Sequence, residues 1–377
     1  VISGIHFNYS FSDKFWNSYT KFKKSKLNIK NFKSEQYFII SRNLLRNDWM
    51  IAYLFGCSPA VCKSYLSGKK TQLESFDQHT YYEKNATSLR MGDIGYQNNL
   101  EEDMGVHIDY NSLKKYTASL TKAIKKPSSE YKKIGVFSDG YYKQINENIL
   151  QIENEYYSSV RPKPDPSFTC RPSKGLLKGG VNYIELRSID NNIYTNTGID
   201  LEQMYFVELL IIHSLIQKND EISDKEYFEI KSNLTIVAHN GRDKNCTLKV
   251  NGKNTLLISS LEKNLEELKK IASLMYKITG DKNYKETIAK QIMKLKDNTK
   301  LPSNIVIDSM TRNKLSFYEY CMKNVECQKK YFSNLDINAD IMNKLEGEIK
   351  NSLKKREDLE VDQDESYEMY IKNYFKD

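Results

Sequence analysis

The sequence predicts an α+β fold, in which an antiparallel β-sheet floors a cleft and helices wrap around it. Three observations carry this expectation. The run from Leu150 to Asp190 holds two strand-like stretches with ionic groups on one face, and the chain start repeats that design. From about residue 200 onward the periodicity turns helical.

Side chains on a strand alternate between faces. Gln151, Glu153, Glu155 and Tyr157 therefore share a face, with Leu150 and Ile152 behind them. In the second stretch Tyr183, Glu185 and Arg187 lie together, while Ile184 and Leu186 point the other way. At the chain start His6, Asn8 and Ser10 alternate with Ile5, Phe7, Tyr9 and Phe11. A solvated sheet face alternates too, but it favours Lys, Thr and Ser over this mix of His, Asn, Glu, Arg and Tyr. The expectation is a cleft floor lined by metal ligands and phosphate-binding groups.

Residues 1–11 read as a strand, and Asp13 to Tyr19 as a helix start with Phe15, Trp16 and Tyr19 inward. Residues 34–54 read as one helix capped by Ser34, because Tyr37, Ile40, Leu44, Leu45 and Ala52 recur near helical spacing. Gly56-Cys57-Ser58-Pro59 ends it, and a short helix to Leu66 follows. The stretch 67–100 is long and polar, the character of a functional loop. A helix over 109–125 stops before Pro127, then a hairpin over 134–146 turns at Asp139-Gly140. A Pro-rich connection from Arg161 to Pro172 joins the two polar-faced stretches. Beyond them helices are predicted over 201–217, 223–239, 257–278 and 285–297, and a charge-rich solvated segment over 337–377. This divides the chain into a catalytic sheet portion, 1–215, and a mainly helical remainder of the same domain, 216–377.

A content of 39% hydrophobic and 28% charged residues is that of a soluble globular protein. The longest apolar stretch, Phe206 to Ile216, is too short to span a bilayer and is interrupted by Glu208 and His213, so no membrane partner is expected. The net charge of +8 is spread among Glu and Asp rather than gathered in a patch, so no nucleic acid is expected either. The six cysteines form no Cys-x-x-Cys pair, which points to reduced thiols and a cytoplasmic protein. No Gly-rich phosphate loop is present, since Gly179-Gly180 precedes a strand. Phosphates would then be held by divalent cations on carboxylates together with arginines, and Glu155, Glu185 and Arg187 supply that set.

A series of blocks resembles the glutamate–cysteine ligases of the proteobacterial type. They include Ile2-Ser-Gly-Ile-His-Phe-Asn8, Tyr53-Leu-Phe-Gly56, Ser58-Pro-Ala60, Ala86-Thr-Ser-Leu-Arg90 and Asp93-Ile-Gly-Tyr96. Further on come Leu150-Gln-Ile-Glu-Asn-Glu155 with Tyr157, Arg161-Pro-Lys163, and Gly179-Gly180 through Tyr183-Ile-Glu185 to Arg187-Ser188. The similarity is dense to about residue 215 and thinner beyond.

The resemblance implies a glutamine-synthetase-like carboxylate–amine ligase fold, with ATP and Mg2+ as cofactors and L-glutamate and L-cysteine as substrates. The glutamate γ-carboxylate would take the γ-phosphoryl of ATP, and the cysteine amine would displace phosphate to give γ-glutamylcysteine, the first step of glutathione synthesis. It further implies that Glu185 and His6 are metal contacts, with Glu155 joining them, and that Arg187 stabilises the transferring phosphoryl. Arg90 would hold a substrate carboxylate with its planar fork. Tyr96 and Tyr157 would wall the cysteine side chain, and Asn8 would belong to the substrate site. A monomer is expected.

The family also places a Glu-x-Glu segment ahead of the point where this chain starts, at Val1. The chain is accordingly expected to be a fragment, poorly active on its own, with an aggregation-prone sheet edge at residues 1–11. Two other readings remain open: a related ligase with another amine acceptor, and a non-catalytic binding protein derived from the ligase. Retention of Glu185, Arg187 and Arg90 counts against the second.

Overall fold

The computed structural model describes all residues except 1–2, 68, 96–104, 169, 362–364 and 377. The chain opens with β1 (Gly4–Tyr9), α1 (Asp13–Phe22), α2 (Ile29–Asn47) and α3 (Trp49–Phe55). Three short strands follow, β2 (Ala60–Cys62), β3 (Glu74–Ser75) and β4 (Thr80–Tyr82), then α4 (Leu113–Ala123), α5 (Ser129–Ile134) and the hairpin β5 (Phe137–Ser138) and β6 (Tyr141–Tyr142). The polar sheet is completed by β7 (Val160–Lys163) and β8 (Tyr183–Asp190), with α6 (Pro172–Gly179) between them. Beyond it come α7 (Leu201–Ile216), α8 (Asp224–Asn240), the hairpin β9 (Thr247–Val250) and β10 (Lys253–Leu256), α9 (Leu257–Thr279) and α10 (Asn283–Lys296). The chain closes with α11 (Pro302–Asn313), α12 (Phe317–Ser333), α13 (Ala339–Val361) and α14 (Tyr367–Phe375).

The sheet that matters for function has the order β1-β8-β7, antiparallel throughout. Directly opposite residues of an antiparallel pair share a face. Phe7 and Val160 flank Leu186, and Tyr9 and Pro162 flank Ile184, giving the apolar face. That face packs into one core with Tyr37, Ile40 and Leu44 of α2 and with Phe206, Leu210 and Ile211 of α7. Leu261, Leu265 and Leu268 of α9 belong to the same core, so the apolar face of that helix is buried.

Three local readings are corrected. The helix expected over 34–54 is two, Ile29–Asn47 and Trp49–Phe55, parted at Asp48. Asn28 caps the first by accepting the Asn31 N–H at 2.9 Å, while Ser34 is buried mid-helix and donates to the Lys30 carbonyl. The short helix to Leu66 is strand β2 followed by a 3-10 turn over Lys63–Leu66.

The stretch 150–157 is not a strand: Glu153–Glu155 is a 3-10 turn, so Gln151, Glu153, Glu155 and Tyr157 do not line one sheet face. The third strand is β7, which runs into the start of the segment read as a Pro-rich connection. Pro162 disguised it. Proline donates no ladder hydrogen bond, yet β7 lies at the sheet edge, where that loss is tolerated.

Candidate active site

The polar face of the β1-β8-β7 sheet centres on Glu185. Asn8 lies opposite it on β1 and Arg161 opposite it on β7. Between Ile5–Ile189 and Phe7–Leu186 the register slips, so His6 alone opposes Arg187 and Ser188. Such a bulge re-aims side chains locally. Here it gathers His6, Glu185 and Arg187 into one group.

Distances bear this out. The Arg187 Nε donates to His6 Nε2 at 3.3 Å and lies 3.8 Å from Glu185 Oε1. Glu185 Oε2 lies 3.6 Å from the Lys163 Nζ and 3.9 Å from His6 Nδ1. One carboxylate thus faces two cations and an imidazole, a surface of net positive charge suited to phosphate groups. An arginine has no acceptor to offer, so His6 Nε2 is the unprotonated nitrogen and the proton sits on Nδ1. Partial burial, with Arg187 beside it and Arg161 and Lys163 adding to it, holds the His6 pKa below 6.5 against the opposing pull of Glu185.

Arg90 approaches the same group from beneath. It is buried, on a 3-10 turn over Leu89–Met91. That turn is fastened on two sides. The Thr87 and Ser88 N–H groups donate to the Ala238 carbonyl at the end of α8, and the Leu89 N–H donates to the Ser58 carbonyl. The Arg90 Nε donates to Asp190 Oδ1 at 2.7 Å, while Nη1 and Nη2 fork onto the Arg187 carbonyl at 3.2 and 3.1 Å. Nη1 also reaches the Tyr157 hydroxyl at 3.4 Å, and the Arg187 guanidinium sits 5.1 Å from the Tyr157 ring centre. The guanidinium lies against Gly4, where a Cβ would come within 2.6 Å of it.

His6, Asn8, Arg90, Tyr157, Glu185 and Arg187 are thus brought to one place. Glu155 is not shown with them: its Oε2 accepts the Gln151 N–H at 2.6 Å and so closes the turn that replaced the expected strand. Tyr96 lies outside the described residues. Glu153, buried, accepts the Ser173 N–H at 2.7 Å at the start of α6, a structural task.

Sequence reasoning missed four participants. Lys163 and Arg161 alternate on β7 around Pro162, a period-2 signal hidden by the proline. Asp190 continues the alternation of β8, as Ser188-Ile189-Asp190. His239 stands in no local motif, but its Nδ1 lies 2.5 Å from Glu83 and its Nε2 2.9 Å from Asp93. It ties α8 to both sides of the segment that carries Arg90. Burial alone would lower its pKa, but the two carboxylates together outweigh burial and raise it.

Among the described residues no group of three or more His, Cys, Asp or Glu side chains is arranged to hold a metal ion. Glu185 offers carboxylate oxygens, the donor type that Mg2+ takes together with phosphate oxygens and water. His6, with Nε2 engaged by Arg187 and a proton on Nδ1, is suited instead to donate to a phosphate oxygen.

A family model described as glutamate–cysteine ligase matches residues 1–237. A glutamate–cysteine ligase of Alcanivorax borkumensis is 35% identical over 383 residues, covering 100% of this chain and 72% of its own length. One from Shewanella halifaxensis is likewise 35% identical, with the same coverage. The likeness therefore runs through the C-terminal helices as well. Among solved structures, the glutamate–cysteine ligase of Francisella tularensis in complex with AMP superposes with a TM-score of 0.89 at 29% identity. It covers 99% of this chain and 72% of that one. A bifunctional glutathione synthetase of Pasteurella multocida shares the fold, with a TM-score of 0.64 at 18% identity over 87% of this chain and 36% of that one. On the family match and the two 35% identical relatives, the chain belongs to the glutamate–cysteine ligase family of enzymes.

Proposed function

We propose that the polar sheet face binds the triphosphate of ATP and carries out ATP-dependent ligation of L-glutamate, through its γ-carboxylate, to L-cysteine. The product is γ-glutamylcysteine, formed through a γ-glutamyl phosphate, and it feeds glutathione synthesis. The observation that carries this reading is the group His6, Lys163, Glu185 and Arg187 on one sheet face, with side-chain distances of 3.3–3.9 Å. The AMP bound by the Francisella tularensis enzyme supports nucleotide use.

In this reading Arg187 faces the transferring phosphoryl, where charge builds as the glutamate carboxylate attacks. Glu185 and substrate phosphates would hold Mg2+, which when bound would neutralise the triphosphate, and His6 would donate its Nδ1–H to a phosphate oxygen. Asn8, opposite Glu185, donates to substrate oxygens. Tyr157, with its ring under Arg187, flanks the cysteine side chain. Among the described residues Arg90 makes four hydrogen bonds, and a fifth N–H would be enough for a single contact to a substrate carboxylate. All six cysteines are free thiols, in keeping with the reducing cytoplasm where we place the reaction.

The test is ADP release from ATP and Mg2+ with glutamate, with and without cysteine. It is run on the 377-residue chain and on a form extended to the length of its relatives. Cysteine-dependent release in either form supports the reading. Nucleotide binding without turnover in both, or turnover with another amine but not with cysteine, overturns it.

A further inference from the structure

Asp190 ends β8 and is buried, with both carboxylate oxygens fully used. Oδ2 accepts the Cys57 N–H and the Ser58 hydroxyl, each at 2.8 Å. Oδ1 accepts the Ser88 hydroxyl at 2.9 Å and the Arg90 Nε at 2.7 Å. A carboxylate offers about four acceptor directions, and all are occupied. One side chain thus joins the segment after α3, the turn that carries Arg90, and the end of the central strand.

The consequence lies one bond further on. With Nε locked to Asp190, the Arg90 guanidinium plane has a fixed direction, and its two Nη atoms converge on the Arg187 carbonyl. The N–H of the same residue donates to the Ser159 carbonyl at 2.7 Å. The Arg187 backbone, which the bulge takes out of register with β1, is therefore gripped at both its N–H and its C=O. Tyr157, through its hydroxyl, is tied to the same guanidinium.

We propose that Asp190 is a positioning residue for the ligation: it acts through Arg90 to set the Arg187 peptide and the Tyr157 ring. The proposal rests on the function given above. It differs from a simple structural anchor because the anchor's load falls on one arginine fork. An amide in place of the carboxylate must keep its oxygen toward the Cys57 N–H, a backbone donor that cannot turn away. Its NH2 then faces Arg90 Nε, donor against donor, and the fork loses its direction.

The experiment is a double-mutant cycle of Asp190→Asn and Arg90→Lys in the full chain, with steady-state kinetics. The Arg90 Nε–Hε signal is followed in parallel by 15N NMR. Asp190→Asn is expected to lower kcat about 10- to 100-fold, as displaced catalytic groups do, with KM for ATP close to wild type. On the Arg90→Lys background the same change is expected to add little, whereas a structural anchor would give additive losses and overturn the proposal. The slow-exchanging Arg90 Nε–Hε signal is expected to vanish in Asp190→Asn. Its persistence would overturn the positioning claim even in a chain without ligase turnover, so failure of the proposed function stays distinguishable. If Asp190→Asn does not fold, Arg90→Lys decides alone. Lysine keeps a charge near Asp190 but cannot fork onto a carbonyl, and wild-type kcat in that variant overturns the proposal.

Discussion

The Nε of Arg187 donates to Nε2 of His6 across 3.3 Å, and this bond fixes the imidazole in its neutral form. A neutral ring accepts from Arg187 and keeps one N–H for a phosphate oxygen; a protonated one would repel Arg187.

The pH dependence follows from the direction of the His6 shift. Its folded pKa lies below 6.5, lowered by burial and then by Arg187. Folding therefore favours the neutral ring. That contribution is complete above the unfolded value and is lost as pH falls through the folded one. The acid limb of kcat/KM is expected below pH 6.5, and His6→Gln is expected to remove it. An acid limb that survives His6→Gln would assign that titration to another group.

Arg187→Lys keeps the charge but loses the planar fork and the stacking on Tyr157. A fall in kcat of roughly 10²- to 10³-fold is expected, the magnitude seen when one transition-state donor is removed. Steady-state kinetics at saturating ATP would show it. A pure rise in KM with kcat intact would mean that Arg187 binds the ground state only.

Glu185 and Glu155 have different surroundings, the first on the polar sheet face and the second closing a turn onto the Gln151 N–H. Glu185→Gln is expected to abolish magnesium-dependent turnover. Glu155→Gln keeps an acceptor for the Gln151 N–H and is expected to retain turnover while costing about 1 kcal/mol of stability. Equal loss of activity in both variants would restore Glu155 to the metal site.

Gly4→Ala would place a methyl group 2.6 Å from the Arg90 guanidinium and 2.9 Å from the Ile189 carbonyl. Neither neighbour is free to retreat, since Arg90 is held by Asp190 and Arg187, and Ile189 pairs with Ile5. A large drop in kcat with retained helical circular dichroism is expected. Unchanged turnover would show that Arg90 tolerates displacement.

His239 should give stability an alkaline limb. Its pKa is raised, burial being outweighed by Glu83 and Asp93. The bridging stability is present below the unfolded value of 6.5 and is lost as pH rises through the folded one. Thermal midpoints from pH 6 to about 9 are expected to fall more for wild type than for His239→Gln. Parallel curves would remove His239 from the fastening of the Arg90 turn.

The strands at the chain start and at 183–190 were legible because period-2 alternation reports a sheet with one buried and one polar face. The helices from 201 onward were legible for the matching reason, apolar spacing near 3.6. The third strand was not. A strand of four residues with proline at its centre lacks local signal, and only pairing with β8 defines it. Residues 150–157 alternate convincingly yet turn, because Glu155 closes on the Gln151 N–H and Glu153 is drawn to Ser173. Local pattern lost there to side-chain hydrogen bonds with backbone.

By itself, then, the sequence determined which residue types would share the polar sheet face, since alternation and family blocks are properties of the chain alone. It named His6, Asn8, Arg90, Tyr157, Glu185 and Arg187, and with them Glu155 and Tyr96. Only the tertiary structure decided how they act together. The bulge opposite His6, the Asp190–Arg90 bond and the tie from His239 to Glu83 each join residues more than 90 positions apart. Contacts across such separations depend on register and packing, and no local window of sequence contains them.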